Sequence, residues 1–228
     1  MATQTTEEVK AEMIRKLGPE FGSLLYSLYN EIVWITYKWT EFKELYGSKE
    51  SRIDLMNEAA SLFFYIVQRV LWDNLLLGVA RITDPPTTNG KKNITLKSIC
   101  PLVADNEFRI KIEASLKEIL KESEFCRDWR NRWIAHMDYE LVSNPQSAEP
   151  LKPATRDKLE SILRRIHALY NSISAKYLDS TVAFEYTNSI AGSVSLLRRI
   201  ESGIRFEKNV YTQKLRDEWT RDEFKSRV

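Results

Sequence analysis

The sequence predicts an all-α protein, a bundle of four to five long helices with shorter helices between them. Apolar residues recur at three- and four-residue spacing over long segments, the mark of helices with one buried face. Seven glycines and seven prolines are few interruptions for 228 residues. Several of them fall where the periodicity lapses, at Gly18-Pro19, Asp84 to Gly90 and Ser143 to Pro153.

A first helix is predicted over about Thr6 to Leu17, with Gly18 as its stop and Pro19 starting the next. The second runs to about Tyr46, with Leu24, Leu25, Leu28, Ile32, Ile35 and Trp39 along its buried stripe. After Gly47-Ser48 a third helix extends from about Lys49 to Thr83. It is apolar on nearly every side around Phe63 to Leu77 and reads as the central, buried helix.

Asp84-Pro85-Pro86-Thr87-Thr88-Asn89-Gly90 breaks the chain, because adjacent prolines lack amide donors and Asn-Gly favours a tight turn. A short helix capped by Thr95 and ended by Pro101 follows. From about Asp105 the stripe Phe108, Ile112, Leu116, Ile119, Leu120 begins a fourth long helix, which carries on to the Arg130 to His136 segment. Thr155 caps a fifth, bearing Leu159, Ile162, Leu163, Ile166, Tyr170 and Ile173, and a last helix spans about Ser189 to Glu207. One domain is thus expected over 1–207, with long loops near 84–94 and 143–153. A charged extension follows at 208–228, with Leu215 and Trp219 at helical spacing.

Charge excludes one class of function. Thirty-four Lys and Arg against 32 Asp and Glu give no global field to draw in a polyanion, so nucleic-acid contact requires a local patch. The start of the chain carries Glu7 and Glu8 and no basic, then apolar, leader. Leu62 to Ile82 contains Gln68, Arg69, Asp73, Asn74 and Arg81, which a membrane span rarely tolerates. A cytoplasmic protein without membrane contact is expected. Cys100 and Cys126 form no CxxC, and only His136 and His167 accompany them, so reduced structural thiols are expected and no metal or other cofactor. The seven glycines are too widely spaced for a dinucleotide or P-loop cradle, and HExxH and GxSxG are both missing.

Chemistry concentrates in Cys126-Arg127-Asp128-Trp129-Arg130-Asn131-Arg132-Trp133-Ile134-Ala135-His136-Met137-Asp138. Histidine moves protons near neutrality and arginine offers a charged fork that fits a phosphate. RNA brings its own nucleophile, the 2′-hydroxyl. On an ideal helix Arg130 and His136 stand about 240° apart and about 9 Å along the axis. Either the helix loosens before His136, or the two meet residues of a second copy. Arg132, four before His136, does share its face in an α-helix and rivals Arg130 for the phosphate. Spacing alone also fits a solvated arginine face with Trp129 and Trp133 turned inward.

The Arg-Asn-(four residues)-His arrangement resembles the signature of HEPN proteins. The stretch Arg130 to Asp138, with Arg81-Ile82-Thr83-Asp84-Pro85-Pro86 and Lys91-Lys92-Asn93-Ile94-Thr95-Leu96, resembles the AbiU-type branch of abortive-infection HEPN proteins over about Ile53 to Leu141. The resemblance implies a helical bundle that pairs into a two-fold homodimer, with arginines and histidines of both copies lining one cleft where RNA is cut without metal. Arg130 would then hold the scissile phosphate, His136 act as general base or acid, and Asn131 orient one of them. The products would be a 2′,3′-cyclic phosphate and a 5′-hydroxyl. A toxin or antiphage role, with a cognate antitoxin or neighbouring defence protein, goes with that reading. A non-catalytic HEPN bundle binding RNA or a partner protein is the alternative. Arg132, Arg81, Asp84, Lys91 and Lys92 are further substrate-binding candidates. Some HEPN toxins carry, two positions after the histidine, a tyrosine that a partner adenylates; here Asp138 holds that position and Tyr139 follows it, so adenylation is not expected.

Overall fold

The computed structural model describes residues 5–47, 49–184 and 191–209; the predicted extension with Leu215 and Trp219 lies outside them. Packing divides the chain into two compact units, one of residues 1–40 and 70–187, the other of 41–69 and 188–228.

Helix α1 (Thr6–Leu17) starts with a capping box: Glu8 N–H donates to Thr5 Oγ1 at 3.3 Å and Thr5 N–H to Glu8 Oε2 at 2.7 Å. Gly18, at φ 79°, ends it and Pro19 opens α2 (Pro19–Tyr46). In the first unit the predicted stripe of α2 is buried at Leu25, Leu28, Ile32 and Ile35.

Helix α3 (Glu50–Ile82) corrects the expectation of a helix buried throughout. Leu75, Leu76, Val79, Ala80 and Ile82 are buried in the first unit, but Leu62, Phe63, Tyr65 and Ile66 of the second are exposed, Leu62 by 70%. A helix apolar on every side presents more surface than neighbours on one side can cover. It also departs from helical geometry at Ala60. Among the described residues α3 is the one helix long and apolar enough to cross a membrane.

After α3 the Asn-Gly turn closes a small antiparallel hairpin, β1 (Thr87–Thr88) and β2 (Lys91–Lys92), with Asn89 and Gly90 at φ 50° and 77°. Two 3₁₀ turns, Leu96–Ser98 and Cys100–Leu102, stand where one short helix was expected, and Thr95 makes no side-chain cap bond. The fourth long helix is also shorter than expected. Helix α4 (Asn106–Glu122), capped by Asp105, stops at Ser123, where ψ rises to 3° and the next helix, α5 (Glu124–Trp129), begins. Helix α6 (Tyr139–Ser143) is short; α7 (Arg156–Leu178), capped by Thr155, packs its apolar stripe against α4. In the second unit α8 (Ser193–Asn209) begins with Ser193 N–H donating to Glu41 Oε2 at 2.6 Å.

Candidate functional site

All the candidate residues lie in the first unit. Beyond α5 the backbone widens into a π-turn over Arg130–Ile134, in which Ala135 N–H donates to Arg130 C=O at 2.9 Å. Asp138 N–H then reaches Arg132 C=O at 3.1 Å. Of the two expectations for this segment, a helix that loosens before His136 is the one seen in the backbone. Such turns inside helices are often found at functional sites.

The widened turn is held by side chains on both flanks. Asp138 caps α6, its Oδ1 accepting from Glu140 N–H at 3.0 Å and Leu141 N–H at 3.3 Å. Arg132 donates through Nε to Asp138 Oδ2 at 3.0 Å and through Nη2 to the Glu149 carbonyl at 2.6 Å, and its Nη1 lies 3.6 Å from Asp128 Oδ1. The Arg132 guanidinium, helped by the Leu141 amide, holds the Asp138 carboxyl below the usual range. Trp129 Nε1 donates to Lys152 C=O at 2.8 Å, and Lys152 returns its N–H to Asp128 Oδ2 at 2.7 Å and its ammonium to Glu124 at 2.8 Å. The 144–153 loop is thus strapped along the motif.

On the other flank Arg127 donates to Leu120 C=O at 2.8 Å, Thr83 Oγ1 at 3.2 Å and Ser123 Oγ at 3.4 Å, tying the end of α3 to the α4–α5 break. Arg130 Nη1 meets the Asp84 carboxylate one residue further, and its Nε donates to Asn131 Oδ1 at 3.0 Å. Both members of the Arg130–Asp84 pair are largely withdrawn from solvent, 27% and 21% exposed. Asp84 Oδ1 is buried and takes no hydrogen bond from a described residue.

The structure therefore brings Arg130, Asn131 and Asp84 together. His136 stands exposed after the π-turn, with no hydrogen-bond or ion-pair partner among the described residues. Arg132 is drawn into a network with Asp128, Asp138 and the Glu149 carbonyl. Arg81 turns to Glu31 of α2. Lys91 and Lys92 sit exposed on the hairpin, Lys92 Nζ 3.8 Å from Glu20. Asn93 pins that hairpin through Nδ2 to Pro85 C=O at 2.9 Å and Thr88 Oγ1 at 2.8 Å.

Cys126 is buried beside the motif, and burial pushes its thiol up to about 12, so it stays protonated; Cys100 is also a free thiol. Among the described residues no three His, Cys, Asp or Glu side chains gather as a metal site would. Arg127, Asp128 and Asp138 position the motif, although none was a candidate by sequence. Asp138 carried a usable signal, an aspartate immediately before a helical segment.

An all-α bundle that presents Arg-Asn-(four residues)-His at a loosened helix end is of the HEPN class. Residues 18–191 match the family model HEPN_AbiU2, described as AbiU2, and the chain belongs to that family. The match covers α2 to α7 and every candidate site residue. No curated protein and no solved structure matches the chain.

Proposed function

We propose that this protein is a metal-independent endoribonuclease of the abortive-infection type, active in the cytoplasm as a homodimer whose two motif segments face one cleft. The observation that carries the reading is the π-turn between Arg130 and His136, which leaves an unpartnered imidazole exposed on a backbone fixed beside an arginine–amide pair. Arg130 binds the scissile phosphate, Asn131 orients the guanidinium through its Oδ1, and His136 takes the 2′-hydroxyl proton or protonates the leaving 5′-oxygen. Attack of the 2′-oxygen on phosphorus and departure of the 5′-oxygen leave a 2′,3′-cyclic phosphate and a 5′-hydroxyl. One imidazole does one of these proton transfers at a time, and a second copy supplies the other. Lys91, Lys92 and Arg81 offer cations for flanking phosphates, and a cognate antitoxin or neighbouring defence protein restrains the activity.

Cleavage of RNA in a chelator, by the wild type and by His136→Ala, Arg130→Ala and Arg132→Ala, tests this. His136→Ala is expected to lose about 10²- to 10⁴-fold in rate, the usual worth of a general acid or base. Equal cutting by all four proteins, or none by any, removes the catalytic reading. Light scattering is expected to give a dimer mass at micromolar concentration.

One observation favours the second reading, a non-catalytic bundle that binds RNA or a protein. Arg130 is already engaged by Asp84, so a phosphate must share or displace that carboxylate. Binding of RNA without cleavage, weakened by Arg130→Ala and unchanged by His136→Ala, would establish it.

A further inference from the structure

We propose that Tyr139 is the platform on which the nucleobase beside the cleaved phosphodiester stacks. The proposal rests on the ribonuclease reading and assigns a residue that the Arg-Asn-(four residues)-His motif does not contain.

Tyr139 is the most exposed tyrosine among the described residues. It is 75% exposed. Tyr29 and Tyr170 pack ring on ring at 6.0 Å, Tyr177 meets Phe21 at 5.5 Å, and Tyr46 donates its hydroxyl to Phe64 C=O at 2.8 Å. Tyr139 makes neither a ring contact nor a hydrogen bond with any described residue. An aromatic ring left in water forgoes the stabilisation that burial gives its neighbours.

Its backbone, by contrast, is fixed. Asp138, immediately before it, is held by Arg132 from the side chain and from the main-chain carbonyl, and caps the helix that Tyr139 begins. The ring is therefore presented three residues after His136, at the start of α6, with its Cα already positioned. Such preorganisation lowers the ordering cost of a contact made there.

The chemistry of the surroundings selects the occupant. Proteins that read single-stranded RNA pair cationic groups for the phosphates with aromatic rings for the unstacked bases, and each stacked base contributes about 1–3 kcal/mol by alanine substitution. Arg130 and His136 supply the first element and Tyr139 the second. Exposed Met137 and Val142 extend the apolar surface. Yet three side chains are far short of the roughly 800 Å² per partner that a specific protein interface buries. A base is the ligand that fits a single ring.

The test measures binding of fluorescein-labelled single-stranded oligoadenylate and oligouridylate in the His136→Ala background. It compares Tyr139 with Tyr139→Phe, Tyr139→Trp and Tyr139→Ala, and then measures RNA cleavage with His136 intact. Stacking requires the ring alone, so Phe and Trp are expected to hold affinity within about twofold. Ala is expected to weaken it by about tenfold, and to lower kcat/KM similarly while the melting temperature and the sedimenting mass stay unchanged. Equal binding and cleavage by Tyr139 and Tyr139→Ala would overturn the proposal while leaving the ribonuclease reading intact. Loss in Tyr139→Phe as large as in Tyr139→Ala would assign the effect to the hydroxyl, and a fall in mass to a protein contact; either overturns it. Absence of both RNA binding and cleavage in the parent proteins would overturn the proposal and the ribonuclease reading together.

Discussion

The guanidinium of Arg130 lies against the carboxylate of Asp84, 46 residues earlier in the chain, and this contact joins the end of α3 to the motif segment. The same carboxylate keeps its other oxygen buried without a described donor. Asp84 thus fixes where Arg130 points and pairs with its charge.

Replacing Asp84 by Asn should keep the volume and remove the charge. The pair retains partial solvent access, so the expected loss of stability is about 1–2 kcal/mol, below that of a fully buried pair. Cleavage is expected to fall at least tenfold through kcat, because Arg130 loses its orientation. Denaturant midpoints together with separate kcat and KM values check both numbers.

Arg132 is expected to behave as a fastener. Arg132→Lys cannot reach Asp138, Glu149 and Asp128 together, since an ammonium lacks the planar fork. Hydrogen exchange in the 144–153 loop should therefore accelerate in Arg132→Lys, with a smaller loss of activity than in Arg130→Lys.

Asp138 adds a pH dependence. Its carboxyl titrates lower in the folded protein than in the unfolded chain, chiefly because Arg132 donates to the ionised form. The unfolded chain binds the proton first as pH falls, so this stabilisation is complete above about pH 4 and is lost as pH falls through the folded value. Melting temperatures of wild type and Asp138→Asn should converge as pH is lowered from 5 to 3.

His167 adds to the loss of stability in acid, by refusing a proton that the unfolded chain accepts. Burial, with the ring stacked at 4.3 Å on Phe184, lowers its pKa to about 4. Thr36 Oγ1 donates to Ile32 C=O at 2.7 Å, so at 2.8 Å His167 Nε2–H is the donor to Thr36 and the ring is neutral. Between about pH 6.5 and 4 the unfolded chain takes up a proton that the folded protein refuses, and stability falls by about 1.4 kcal/mol per pH unit. His167→Phe should flatten that slope in denaturant titrations, leaving cleavage at neutral pH unchanged.

Gly22 of α2 lies directly against the backbone of α1. A Cβ there would stand 2.6 Å from Ile14 Cα and from the Met13 carbonyl, backbone atoms that cannot swing aside. Gly22→Ala is expected to cost about 1–3 kcal/mol by overpacking, measured as a lower denaturant midpoint.

Features set by neighbouring residues were legible in the sequence. The Gly18-Pro19 junction, the Asn89-Gly90 turn and the Thr155 cap each follow from local backbone chemistry. The Arg130 to His136 segment was legible as chemistry, and its helical phase posed the question of whether the backbone loosens before His136, which it does over Arg130–Ile134. The turn itself was not legible, because the Asp128, Asp138, Glu149 and Lys152 contacts that hold it cross gaps in the chain. For the same reason the Arg130–Asp84 pair and the Arg127 joint were hidden, and periodicity could not tell that Leu62, Phe63, Tyr65 and Ile66 lie exposed.

The central claim, that Arg130 and His136 cut RNA through its own 2′-hydroxyl, is tested most directly by the mass of the fragment ends formed in a chelator. Fragments ending in a 2′,3′-cyclic phosphate and a 5′-hydroxyl are expected, and are expected to be lost with His136→Ala. Fragments bearing 3′-hydroxyl and 5′-phosphate ends, or cyclic-phosphate ends formed as fast by His136→Ala, would contradict it.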